Sequence, residues 1–129
     1  MKKVEAKTKD FLKALSRFVE LEALPKTDVV RDATVKRFEI LFDISWKTLK
    51  TILNEENSVF CNSPKTCIRE AFKQGWIDKY ENFWIKMCDL RNRAAHTYDL
   101  KVGEDIYKHC PEIKKCFEDM KKHIILGDD

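Results

Sequence analysis

Between Pro25 and Pro64 the chain contains neither glycine nor proline, and there the apolar side chains return at helical intervals. Phe38, Leu41, Phe42, Ser45, Leu49, Ile52 and Leu53 form one stripe, with Trp46 on its edge. Steps of three and four place side chains on one face of an α-helix. Thr27 or Asp28 suits the N-cap, and the helix is expected to run to about Glu55. A stripe of this size does not stay in water, because each large apolar side chain contributes roughly 1.5–3 kcal/mol on burial. The rest of the chain must supply the elements that cover it.

Those elements read as further helices. Val4, Phe11, Leu15, Phe18 and Val19 predict a first helix reaching about Glu22, stopped by Leu24-Pro25-Lys26. A short helix follows the loop from Asn57 to Asn62. Ser63 is its N-cap, Pro64 its first residue and Gly75 its stop, with Ile68, Ala71 and Phe72 facing inward. Asp78 with Glu81 three residues on resembles a capping box. The helix it opens carries Tyr80, Phe83, Trp84, Met87, Leu90 and Arg91 on one side and runs to about Ala95. A last helix begins near Val102 or Glu104, with Ile106, Cys110, Ile113, Phe117, Met120 and Ile124 in steps of four and three. That stripe passes through Pro111, which predicts a kink rather than a chain reversal. No segment reads as a strand. The expected fold is all-α: an up-and-down four-helix bundle with one extra short helix between the second and third long helices. Residues 1–126 form a single helical domain, and 127–129 a short frayed tail.

Composition narrows the function. The net charge is only +3, and acids and bases alternate along the chain, the pattern of a solvated surface rather than a dedicated nucleic-acid stripe. No apolar run approaches the roughly 20 residues that span a bilayer, and Met1-Lys2-Lys3-Val4-Glu5 lacks the apolar core of a signal peptide. A cytoplasmic protein without membrane partners is expected. Five cysteines cannot all pair within one chain, and free thiols, several of them in the core, are expected. Cys61 and Cys67, like Cys110 and Cys116, are spaced more widely than most structural zinc ligands, so no metal is assigned despite His109 beside Cys110. With no glycine-rich phosphate loop, no nucleotide cofactor is assigned either.

Function-capable groups concentrate in Arg91-Asn92-Arg93-Ala94-Ala95-His96-Thr97-Tyr98, followed by Asp99. Cations in the last turn of a helix also complement its dipole, so residue type alone does not make this a site. Spacing carries more. An arginine followed, after four to six intervening residues, by a histidine arises about 0.4 times by accident in a chain of this make-up, but adding a tyrosine two places later lowers that to about 0.01.

The segment resembles the R-x4-H-x-Y motif of the HEPN superfamily, and the chain is similar to its group of nucleotidyltransferase substrate-binding proteins along nearly its whole length. The resemblance runs through Lys36-Arg37-Phe38-Glu39, Asp43-Ile44-Ser45-Trp46-Lys47-Thr48-Leu49-Lys50, Ser63-Pro64-Lys65, Glu70-Ala71-Phe72 with Gly75, and Trp84 ahead of Arg91-Asn92. It ends in His96-Thr97-Tyr98-Asp99. It implies a toxin of a two-gene toxin–antitoxin pair: a metal-independent endoribonuclease restrained by a minimal nucleotidyltransferase that can transfer AMP to the motif tyrosine. On that footing Arg91 and His96 are the catalytic pair, Asn92 a supporting polar residue and Tyr98 the modification target. The implied partners are the nucleotidyltransferase antitoxin and RNA, not DNA. The same resemblance admits a non-catalytic subunit that docks on the nucleotidyltransferase and presents its substrate.

The implied chemistry is sound for these side chains. Metal-free RNA cleavage requires the ribose 2′-hydroxyl to lose a proton and the departing oxygen to gain one. Histidine exchanges protons near neutral pH, and arginine stays charged opposite a dianionic phosphorane. Five residues along an ideal helix amount to about 140° and about 7.5 Å, so Arg91 and His96 share a face only if the helix ends or distorts before His96. A homodimer with the segment at or near its interface is expected, since a two-fold axis there brings two of each into one cleft.

Overall fold

The computed structural model describes residues 2–96 and 99–127, the side chains of 126 and 127 excepted. Among these residues six α-helices follow one another: α1 (Lys2–Val19), α2 (Asp28–Asn57), α3 (Pro64–Gln74), α4 (Glu81–His96), α5 (Leu100–Lys108) and α6 (Cys110–Gly127). A 3-10 turn, Glu20–Ala23, extends α1. No strand occurs among the described residues.

Local signals set several boundaries where they were expected. The Thr27 hydroxyl accepts the Val30 N–H at 3.1 Å and caps α2. Ser63 caps α3 by accepting from the Thr66 amide, Pro64 occupies the first position, and Gly75 closes the helix at φ 85°. Glycine takes that left-handed conformation without the clash a Cβ brings.

α2 is the hub. It packs on α1, α3, α4 and α5, while α6 lies against α1, α4 and α5. The long helices thus close a ring in the order α1, α2, α4, α6, the predicted four-helix bundle, with α3 between the second and third long helices in chain order. One core draws buried residues from all six helices, including Phe11, Phe38, Phe42, Ile68, Trp84, Ile106 and Phe117. Trp84 meets Phe117 edge-on at 5.1 Å between ring centroids, and Phe11 approaches the same ring at 6.4 Å. Such ring pairs add about 0.5–1.5 kcal/mol to the burial of their area.

Three local expectations are corrected. Asp78 does not open α4: its N–H and that of Lys79 donate to Asp119 Oδ2 at 3.0 and 3.1 Å, and the helix starts at Glu81. Tyr80 stands before that helix, exposed and at φ 67°, instead of on its inward side. A carboxylate reaching from α6 has displaced the local capping box. The last helical stretch begins earlier than expected, at Leu100 under an Asp99 cap, and divides at His109. Pro111 has no N–H to offer the Tyr107 carbonyl. The His109 amide is shared between the carbonyls of Asp105 and Ile106, at 3.2 and 3.1 Å. Ile106, Ile113, Phe117, Met120 and Ile124 nonetheless all remain buried.

The third correction concerns the thiols. Cys61 and Cys67 form a disulfide that joins the loop after α2 to α3. The expectation of free thiols holds for Cys88, Cys110 and Cys116. Spacing alone does not disclose which of the five cysteines pair.

Candidate functional site

Helix α4 points its Trp84, Met87, Leu90 and Ala94 into the core. Its last turns therefore carry Arg91 along the border with α2 and Asn92, Arg93, Ala95 and His96 toward solvent. The helix stays regular through His96, so the ending or distortion that would have brought Arg91 and His96 onto one face within a chain does not occur. Asn92 and His96, four residues apart, lie about 40° from each other around the axis and do share a face.

An open depression of about 400 Å³ follows from that arrangement, lined by Asn92, Arg93, His96, Asp99 and Val102. Arg91 is not among its lining residues. Of the expected site residues, the fold thus gathers Asn92 and His96 and adds Arg93, while Arg91 stands apart on the α2 side. Tyr98 lies outside the described residues.

Arg91 is held by a fork. Its Nε donates to Asp43 Oδ1 and its Nη2 to Asp43 Oδ2, each at 3.0 Å. Both side chains are about one-third exposed. The hydrogen bonds to Asp43 raise the Arg91 pKa above its usual value, burial opposing and the charges of Asp43 and Glu39 reinforcing. The guanidinium is therefore a fixed cation with a set plane. Three of its five N–H groups lie outside the fork.

Arg93 pairs with Asp105 of α5 at 3.0 Å. The Arg93 hydrogen bond holds the Asp105 carboxyl below the usual carboxylate range. Asp99 accepts the Val102 N–H at 2.9 Å and so fixes the start of α5 beside His96. Asp43, Asp99 and Asp105 were assigned no role from sequence. Asp43 stands next to the apolar stripe of α2, in a segment that carried the family resemblance, but nothing in the spacing ties it to an arginine 48 residues on.

His96 is exposed at the carbonyl end of α4. The free thiols are no alternative nucleophiles. Desolvation pushes Cys88 up to about 11 and Cys110 and Cys116 up to about 12, so all three stay protonated at neutral pH. No cluster of three or more His, Cys, Asp or Glu suited to a metal ion occurs among the described residues. None of the described helices is long and apolar enough to cross a membrane.

Comparison with known proteins agrees with this architecture. A crystal structure of a protein from Thermus thermophilus superposes with a TM-score of 0.81 at 31% identity, covering 88% of this chain and 98% of that one. A curated relative from Haemophilus influenzae, named "Probable ribonuclease HepT", is 26% identical over 84 residues. That match takes in 62% of this chain and 57% of the relative's length. The model of the family described as "Nucleotidyltransferase substrate binding protein like" matches residues 6–124. With the family model spanning α1 through most of α6, the chain belongs to the nucleotidyltransferase substrate binding protein like family, of HEPN type.

Proposed function

We propose that this chain is a metal-independent endoribonuclease toxin, restrained by a partner nucleotidyltransferase, whose active centre forms when two copies meet along the α2–α4 face. The observation that carries the reading is that one helix end presents an exposed His96, set in an open depression with Asn92 and Arg93, and, apart from it, an Arg91 whose plane Asp43 fixes. Similarity to a protein named as a ribonuclease supports it.

In this reading one His96 takes the proton of the ribose 2′-hydroxyl. The second copy's His96, in its protonated form, returns one to the departing 5′-oxygen. Arg91 faces the phosphorane with the N–H groups that the Asp43 fork leaves outward, and Asn92 holds a non-bridging phosphate oxygen. Asp43 acts as a positioning residue. A preset guanidinium loses less freedom on meeting phosphate than one that must be ordered at that moment. AMP placed on Tyr98 would add bulk and negative charge two residues from His96, opposing an RNA phosphate.

The two-copy requirement is testable by subunit mixing. Sedimentation should show a dimer at micromolar concentration, and exchanging one His96→Ala chain into a wild-type dimer should lower cleavage by far more than half, because one centre uses the His96 of both copies. A monomer, or mixed dimers that keep half or more of the wild-type rate, would remove the two-copy site. Incubation with the nucleotidyltransferase and ATP-Mg²⁺ should add one adenylyl mass to the wild type and none to Tyr98→Phe.

One observation favours a second reading. The Arg91–Asp43 fork is also what a purely structural ion pair looks like. A non-catalytic subunit that docks on the nucleotidyltransferase and presents its substrate would keep that pair and need no turnover. It predicts stable association with the nucleotidyltransferase and no cleavage at any protein concentration.

A further inference from the structure

At the opposite end of α4 from His96, the turn at residues 78–80 and the outer face of α6 enclose an open cleft of about 520 Å³. Lys79, Tyr80, Lys115, Glu118 and Lys122 line it, together with Lys114 and Glu22, which pair with each other at 2.9 Å. Asp119 also borders the cleft, but its carboxylate is turned inward, buried, and accepts the N–H groups of Asp78 and Lys79. With Glu22 matched by Lys114 and Asp119 engaged by amides, only Glu118 faces Lys79, Lys115 and Lys122. None of those three lysines has a carboxylate partner among the described residues. Four lysines against Glu22, Glu118 and Asp119 give the lining a net charge of +1, with the three lysines that lack a carboxylate partner scattered from position 79 to 122 in sequence.

Its second feature is Tyr80. The residue is 45% exposed on the cleft wall, and its backbone is left-handed at φ 67°. For a bulky side chain this conformation is a genuine outlier, and such outliers gather at functional positions. The Asp119 carboxylate, by holding the two preceding amides, keeps the turn that presents the ring. An exposed aromatic beside lysines that lack carboxylate partners is what a single-stranded nucleic acid engages: phosphates meet the lysines and a base stacks on the ring. An acidic peptide would use the lysines and leave the ring without a partner.

We infer that the cleft between the 78–80 turn and α6 is a binding track for single-stranded RNA, with Lys79, Lys115 and Lys122 on the phosphates and Tyr80 stacked on a base. It lies about 22 Å along α4 from His96, by the rise of the helix. The inference rests on RNA being the substrate in the reading above, and it adds a second contact that holds the strand away from the point of cleavage.

The test uses the full chain and a fluorescently labelled, 2′-O-methylated oligonucleotide, which cannot be cleaved by 2′-hydroxyl attack, with anisotropy read at several salt concentrations. Lys115→Gln/Lys122→Gln should weaken binding about tenfold at low salt and reduce the log–log salt slope by about 1.4, the value for two lost phosphate contacts to a single strand. Tyr80→Asn, a residue that tolerates the left-handed backbone, should weaken binding about fivefold or more with the slope unchanged, and Tyr80→Phe should bind as wild type. Melting curves on each variant establish that the fold is retained. A wild type that does not bind the probe, or variants that bind it as wild type does, would overturn the inference. So would loss of nucleotidyltransferase association with oligonucleotide binding intact, which would make the cleft a protein-docking surface. If the track binds and RNA is never cut, the nuclease reading falls alone. If RNA is cut and the cleft variants change nothing, this inference falls alone.

Discussion

The two ends of α4 are secured by different physics. At its start, Asp119 is withdrawn from solvent and holds two backbone amides, and Trp84 is packed against Phe117 in the core. At its finish the restraints are polar and partly hydrated: Arg91 on Asp43, Arg93 on Asp105, and Asp99 capping α5. A buried anchor is closed to ligands, whereas the partly hydrated ion pairs leave donors that a phosphate or a second copy can reach. One helix is thus fixed firmly at one end so that the other can present His96 without burying it.

The contrast can be broken from either end. The largest effect is expected at the hydrated end and on activity alone: His96→Ala should lower cleavage by about 100-fold or more, the contribution of a general acid–base group. Its melting temperature should stay within about a degree of wild type, since an exposed side chain carries little stability. Next comes the buried end, with the reverse signature. Asp119→Ala leaves two amides without their acceptor and should cost about 2–4 kcal/mol in denaturant unfolding. Asp43→Asn should fall between them, losing about 1 kcal/mol of stability because the pair is one-third exposed. If the fork positions Arg91 for catalysis, kcat should drop about tenfold or more with KM little changed. An unaltered kcat would make the pair structural.

The smallest effect belongs to Arg93 and Asp105. Arg93→Ala should shift the melting temperature by no more than about 3 °C, the range of a hydrated surface pair. Asp105 has its pKa lowered in the folded state, so the unfolded chain binds the proton first as pH falls. Its contribution is complete above the unfolded value of about 3.9 and is lost as pH drops through the lower folded value. Comparing the acid unfolding of wild type and Asp105→Asn should show a difference that shrinks below about pH 4. A difference that instead grew as the pH fell would contradict the Arg93 pairing.

What could be read from sequence divides along the same line. The stripe of α2 and the caps at Thr27, Ser63 and Gly75 depend on residues within a few positions of one another, and the structure has them as expected. Where a distant group intervened, local reading failed. Asp119 took the amides on which the Asp78–Glu81 pattern depended. The Cys61–Cys67 pair, with a sequence separation of 6, was missed for another reason: spacing does not say which of several thiols pair. Pro111 did mark the weak point of the last helix, but the division fell at His109, where a shared amide could absorb it.

The candidate site was half legible for the same reason. Asn92 and His96 come together because four residues bring a helix back to one face, a property of spacing. Arg91 was named with them, yet its surroundings are set by Asp43 on another helix, and its convergence with His96 is proposed to require a second copy. Position 43 carried a family resemblance without any local feature to say what it would hold.

The proposed activity stands or falls on His96 and Arg91 acting on one phosphodiester without a metal. Purified chain should be incubated with RNA in excess EDTA and the product ends analysed by mass spectrometry, wild type beside His96→Ala. The wild type should yield fragments ending in 2′,3′-cyclic phosphate, and the variant essentially none. Intact RNA at every protein concentration, or equal cleavage by both proteins, would contradict that mechanism.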